Sequence, residues 1–111
     1  MIESTIHKNS GNRWDEDLMF ELILNIMRAR IRGREYVMPL HALEEMENDD
    51  LTIFDIESGV LSGKIVERQK DKVTAQWKYR IQGESLSGEE VEIIAKLGAS
   101  GKLLIITVYL L

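Results

Sequence analysis

The stretch Gln76-Trp77-Lys78-Tyr79-Arg80-Ile81-Gln82-Gly83-Glu84 decides the architecture. Read with a period of two, it puts Trp77, Tyr79 and Ile81 on one face and Lys78, Arg80 and Gln82 on the other. A helix would scatter these residues around its axis, whereas a strand sorts them into a buried and a wet side. The same reading extends to Lys64–Gln69 before it and to Val91–Leu97 and Lys102–Leu110 after it. Gly83, Gly88, Gly98 and Gly101 fall in the connections, which are too short for anything but antiparallel neighbours. The expectation is a four-stranded antiparallel meander, with Lys102–Leu110, the most hydrophobic strand, at its centre.

Upstream of Gly63 the period is helical. A first helix is expected over residues 15–32, with Gly33 as its stop. Its polar residues Glu21, Asn25, Arg28 and Arg32 form one narrow stripe, and almost everything else on it is apolar. A helix lying on a sheet keeps a wider polar face than that, so this one is expected to bury two sides, one of them against a partner chain. Asp15, Glu16 and Asp17 suit the positive end of its dipole, and Arg28, Arg30 and Arg32 the negative end. Tyr36-Val37-Met38 reads as a short extended piece. Pro39 fits the first position of a second helix running to about Glu47, with Ala42, Leu43 and Met46 inward and His41, Glu44 and Glu45 toward solvent. Thr52 and Asp55 form a variant capping box for a third helix, which Gly63 ends. Helices followed by strands define an α+β fold with the helices on one face of the sheet.

The chain of 111 residues is the size of one domain, expected over residues 15–111 behind a flexible N-terminus at 1–14. At 44% apolar and 30% charged residues the composition is globular. Cysteine is absent, which removes disulfides, thiolate metal sites and cysteine nucleophiles and makes a reducing cytoplasm the expected location. The most apolar run, Leu18–Met27, is interrupted by Glu21 and Asn25 and falls short of a membrane span. The net charge of −5 is uneven: residues 41–63 carry seven acids and no Lys or Arg, whereas residues 64–111 carry eight bases and six acids. The overall sign disfavours non-specific nucleic-acid binding but leaves room for a local basic face.

From Tyr36 to Tyr109 the chain resembles the domain-of-unknown-function 4258 family, a bacterial family abundant in cyanobacteria. The resemblance rests on Tyr36-Val37-Met38-x-x-His41-Ala42-x-x-x-Met46, Leu51-Thr52-Ile53-Phe54-Asp55-Ile56 and Gly63-x-Ile65-Val66-Glu67-Arg68. It continues through Trp77-Lys78-Tyr79-x-Ile81-x-Gly83 and Lys102-Leu103-x-Ile105-Ile106-Thr107-Val108-Tyr109. It implies a RelE/barnase-like fold and a toxin that cleaves mRNA without metal, paired with a cognate antitoxin, often of zinc-finger type. The family pattern sets arginines where this chain has Glu45 and Asp49. Two cations that could hold phosphate are here two anions.

RNA cleavage without metal needs a base for the 2′-hydroxyl, cations for the phosphorane and an acid for the leaving 5′-oxygen. His41 is the candidate proton shuttle. Lys78, Arg80 and Lys96 are the candidate phosphate cations, and Tyr109 is the candidate positioning group or proton donor. No cofactor is expected. A metal reading starts from His41 and Glu45, one helical turn apart, but that pair supplies two ligands where a catalytic zinc site takes three. His7 is a poor third. Gly98-Ala99-Ser100-Gly101 is a hairpin connection rather than a phosphate loop, and Ser85 and Ser87 have no sign of a histidine-carboxylate triad. The expected reading is thus a toxin-type ribonuclease acting on RNA. The alternative is a non-catalytic protein that works by association through the hydrophobic helix 15–33, homo-oligomers included.

Overall fold

The computed structural model describes residues 13–111. The expected flexible segment 1–14 lies outside those residues, except that Arg13 already opens the first helix. The elements are α1 (Arg13–Arg32), β1 (Tyr36–Val37), α2 (Leu40–Asn48), α3 (Ile53–Ser62), β2 (Lys64–Lys70), β3 (Trp77–Glu84), β4 (Glu90–Leu97) and β5 (Leu103–Leu110). They form an α+β fold around a five-stranded mixed sheet of order β1-β5-β4-β3-β2.

The four long strands run antiparallel as expected. The fifth strand was not expected: Tyr36–Val37 pairs parallel with Leu103–Leu104. Two residues carry no alternation of their own, and the partner lies more than sixty residues downstream, so no local pattern announces the pairing. β4, not β5, is the central strand. β5 owes its hydrophobicity to α2, which lies along its outer edge. There Glu45 Oε1 accepts the Val108 N–H at 3.2 Å and Asp49 Oδ2 accepts the Leu110 N–H at 2.8 Å. Glu45 therefore points to backbone rather than to solvent. Two side chains one helical turn apart match two N–H groups two strand residues apart, because about 6 Å separates either pair. Beyond β1 these carboxylates close the edge that would otherwise be open to another strand.

α1 and α3 pack on the sheet's inner face. Leu24, Met27, Ile56, Val60, Ile81, Ile93, Leu103 and Ile105 are fully enclosed there. Burying each such side chain contributes about 1.5–3 kcal/mol. Pro39 caps α2 instead of opening it, and Leu40 takes the first helical position. Thr52 and Asp55 do form the expected capping box, and Asp55 Oδ1 also accepts the Leu86 N–H at 3.0 Å, tying α3 to the β3–β4 turn. Gly83 lies within β3 rather than in a connection. A Cβ at this position would sit 2.0 Å from the Gly59 carbonyl oxygen, so helix and strand meet there backbone to backbone. The Tyr36 hydroxyl donates to Glu57 Oε2 at 2.5 Å and links β1 to α3. Burial first, and then the Glu57 hydrogen bond and charge, push Tyr36 up to about 12.

Candidate functional site

Strand register places each candidate. Residues directly opposite one another share a face, so Arg80 lies with Glu67 and Ile94, and Gln82 with Glu92 and Tyr109. Lys78 alternates with the buried Tyr79 and lies opposite Gln69, and Lys96 lies opposite Leu104. Lys78, Arg80, Lys96 and Tyr109 are thus on one outer face of the sheet. His41 is not on it: it is exposed on α2, one helical turn before Glu45.

Arg80 is already occupied. Its Nη1 is 2.6 Å from Glu67 Oε1, and its Nε lies 3.3 Å from Glu92 Oε1 without hydrogen-bond alignment. Glu92 is only 3% exposed although it belongs to the wet face. Gln82 Nε2 donates to it at 2.9 Å, and the Tyr109 hydroxyl donates to its other oxygen. A carboxylate withdrawn from water needs such donors and a cation nearby. Arg80 supplies the cation and Tyr109 a donor, so two predicted site residues are engaged by Glu92, a residue the sequence reading did not single out.

Lys78 and Lys96 sit where the cations gather. One end of the sheet holds the β2–β3 hairpin, where Lys70 faces Trp77, and the β4–β5 turn, where Leu97 faces Leu103. Arg68, Lys70, Lys72, Lys78, Lys96 and Lys102 belong to this end. The C-terminus of α1 joins it: Arg30 Nε donates to the Gly101 carbonyl at 2.7 Å, and the Leu103 N–H to the Glu35 carbonyl at 3.0 Å. The exposed Trp77 ring carries the Arg68 guanidinium 4.0 Å from its centroid and the Lys70 ammonium at 5.2 Å. Asp71 in the hairpin is held below the usual carboxylate range by the Thr74 and Val73 backbone N–H groups, with Lys96 and Lys78 adding to the effect. The opposite end holds Glu84, Glu89 and Glu90 around the β3–β4 turn. Asp49 beside Leu110 and Asp55 beside Leu86 add to it. Lys64 is the cation nearest to them, across from Gln82. The structure sorts a net-acidic chain into a basic end and an acidic end.

The apolar surface is elsewhere. α1 turns Phe20, Leu24, Met27 and Ile31 into the core, while Leu18, Leu22 and Ile26 are 52%, 58% and 42% exposed. A groove of about 480 Å³ lies between α3 and the β3–β4 turn, lined by Phe54, Glu57, Ser58, Leu61, Ser62 and Leu86. It includes none of the predicted site residues. Among the described residues no three His, Asp or Glu side chains converge as metal ligands, and no helix is long and apolar enough to cross a membrane.

No curated protein and no solved structure shows significant similarity to the chain. The model of a family described as a domain of unknown function (DUF4258) matches residues 40–110. The matched span takes in α2, α3 and β2 to β5 and leaves out α1 and β1. It covers more than half of the sequence, and the chain belongs to this family.

Proposed function

We propose that this DUF4258 protein is the RNA-engaging, toxin-type member of a two-protein pair, holding single-stranded RNA at the basic end of its sheet. The observation that carries the reading is the segregation of charge at the end of the sheet that bears Trp77, where Arg68 and Lys70 share the face of the ring and Lys78 and Lys96 lie on the opposite one. The whole-chain charge repels a polyanion, but the field near Lys70, Lys72, Lys78 and Lys96 is set by those residues within a Debye length of about 10 Å at 0.1 M salt. Cations track the phosphates, and the exposed part of Trp77 gives a base something to stack on. A cognate antitoxin would silence the protein by covering this end.

Cleavage is a second reading, favoured by the outer face that Lys78, Arg80, Lys96 and Tyr109 share. With Arg80 held by Glu67 and Glu92, charge on a phosphorane would fall to Lys78 and Lys96. Tyr109, hydrogen-bonded to Glu92, would deliver the proton to the departing oxygen. His41 would take up the 2′-hydroxyl proton only if the RNA strand reached around the β5 edge.

Fluorescence anisotropy with a labelled RNA oligonucleotide tests the first reading. The wild type binds, and Lys70→Gln/Lys72→Gln/Lys78→Gln weakens binding at least about tenfold. Equal binding by the two proteins, or none at low salt, overturns it. Incubating the same RNA with wild type, Lys96→Ala and Tyr109→Phe tests cleavage: no product from the wild type, ribosomes included, ends the second reading. Growth arrest on expression, relieved by a neighbouring gene's product, tests the antitoxin.

A further inference from the structure

The exposed side of α1 is unexplained by an RNA site. Leu18, Leu22 and Ile26 repeat every four residues and form a solvent-facing stripe opposite the buried Phe20, Leu24, Met27 and Ile31. Ala29 extends the stripe by almost one further turn and is small enough to let another helix approach. The charges of α1 are divided along its length. Asp15, Glu16 and Asp17 occupy the first turns and Arg30 and Arg32 the last, while Glu21 and Arg28 between them pair with each other at 3.2 Å within the helix. A partner helix laid parallel would set acids against acids and bases against bases. One laid antiparallel sets each end against its opposite.

We propose that the occupant of this stripe is α1 of a second copy of the chain, packed antiparallel about a two-fold axis at Leu22. The helix is self-complementary in that orientation alone: Leu22 meets its own copy, Leu18 meets Ile26, and the acidic first turns meet the basic last ones. A two-fold contact of this kind needs one surface and closes on itself, so it stops at a dimer. The stripe is short, about 12 Å from Leu18 to Ile26 at 1.5 Å per residue, so the contact is of micromolar rather than nanomolar strength.

The absence of cysteine makes the geometry testable with single cysteines and a short bis-maleimide. Sedimentation of the full chain gives a monomer–dimer equilibrium, and Leu22→Glu, which sets like charges on the axis, weakens it about tenfold or more. The substitution lies on the solvent side, so its thermal melt matches the wild type. Leu22→Cys cross-links to itself. Leu18→Cys and Ile26→Cys alone do not, but a mixture of the two forms a heterodimer. A wild-type chain that sediments as a monomer at every concentration overturns the proposal. So does self-cross-linking at all three positions, which marks a parallel pair, or an equilibrium that Leu22→Glu leaves unchanged.

Discussion

Gly83 and Gly59 bring strand β3 and helix α3 together with no side chain between them, and this contact has the sharpest stereochemical consequence in the molecule. A Cβ on Gly83 would lie 2.0 Å from the Gly59 carbonyl oxygen and 2.8 Å from its carbon, atoms that cannot rotate away. Gly83→Ala is therefore expected to cost at least about 3 kcal/mol in chemical denaturation, more than ordinary overpacking. Glu92 sets a second expectation. Removing its cation by Arg80→Ala leaves a carboxylate that is 3% exposed with the Gln82 and Tyr109 donors but no countercharge. The loss should be about 2–4 kcal/mol, moderated because Arg80 itself is partly wet, and Arg80→Met/Glu92→Gln should be less damaging than Arg80→Ala. An equal loss in both variants would show that packing, not charge, holds this row together. Tyr109 reaches the outer face only through the register shift between β4 and β5, since strict alternation from Ile105 would turn it inward. The outer-face position of Lys78 and Arg80 was legible because strands alternate. The fate of Arg80 was not, since its partners Glu67 and Glu92 come from the two flanking strands and only the register brings them to it.

Among the elements, α3 and β5 are held at their ends by acids. Asp55 lies below the usual carboxylate range because the Thr52 and Leu86 backbone N–H groups bond to its charged form. A lowered folded pKa contributes stability above the unfolded value of about 3.9 and loses it as pH falls through the folded value. Asp55→Asn should accordingly flatten the acid limb of a pH–stability curve, and Thr52→Ala should cost about 1 kcal/mol at neutral pH. Glu45 and Asp49 hold β5 by accepting the Val108 and Leu110 N–H groups. Replacing both by arginine leaves the Val108 and Leu110 N–H groups without acceptors, at about 1–2 kcal/mol each, and should speed hydrogen exchange at those two amides above all others in the strand. The periodicity of three helices and four strands was readable because each repeats its own pattern. The role of Glu45 and Asp49 was not, because their partners are backbone groups some sixty residues away. The rank of β5 was misjudged for a related reason: a helix alongside a strand makes it as apolar as a flanking strand would.

At the scale of the whole molecule, the uneven charge seen along the chain becomes a division in space. The acidic segment folds beside the β3–β4 turn, while the hairpin and the β4–β5 turn collect the lysines. The linear tally of eight bases and six acids after residue 63 understates this, because Glu84, Glu89, Glu90 and Glu92 fold away from Lys70, Lys72, Lys78 and Lys96. The most direct test is a fluorescence titration of Trp77 with single-stranded RNA in a Trp14→Phe background across a range of salt. If the basic end holds RNA, the Trp77 emission is quenched on binding, and log K falls against log salt with a slope of about −3, as four phosphate contacts require. A Trp77 signal that RNA does not alter, or binding indifferent to salt, would contradict the account.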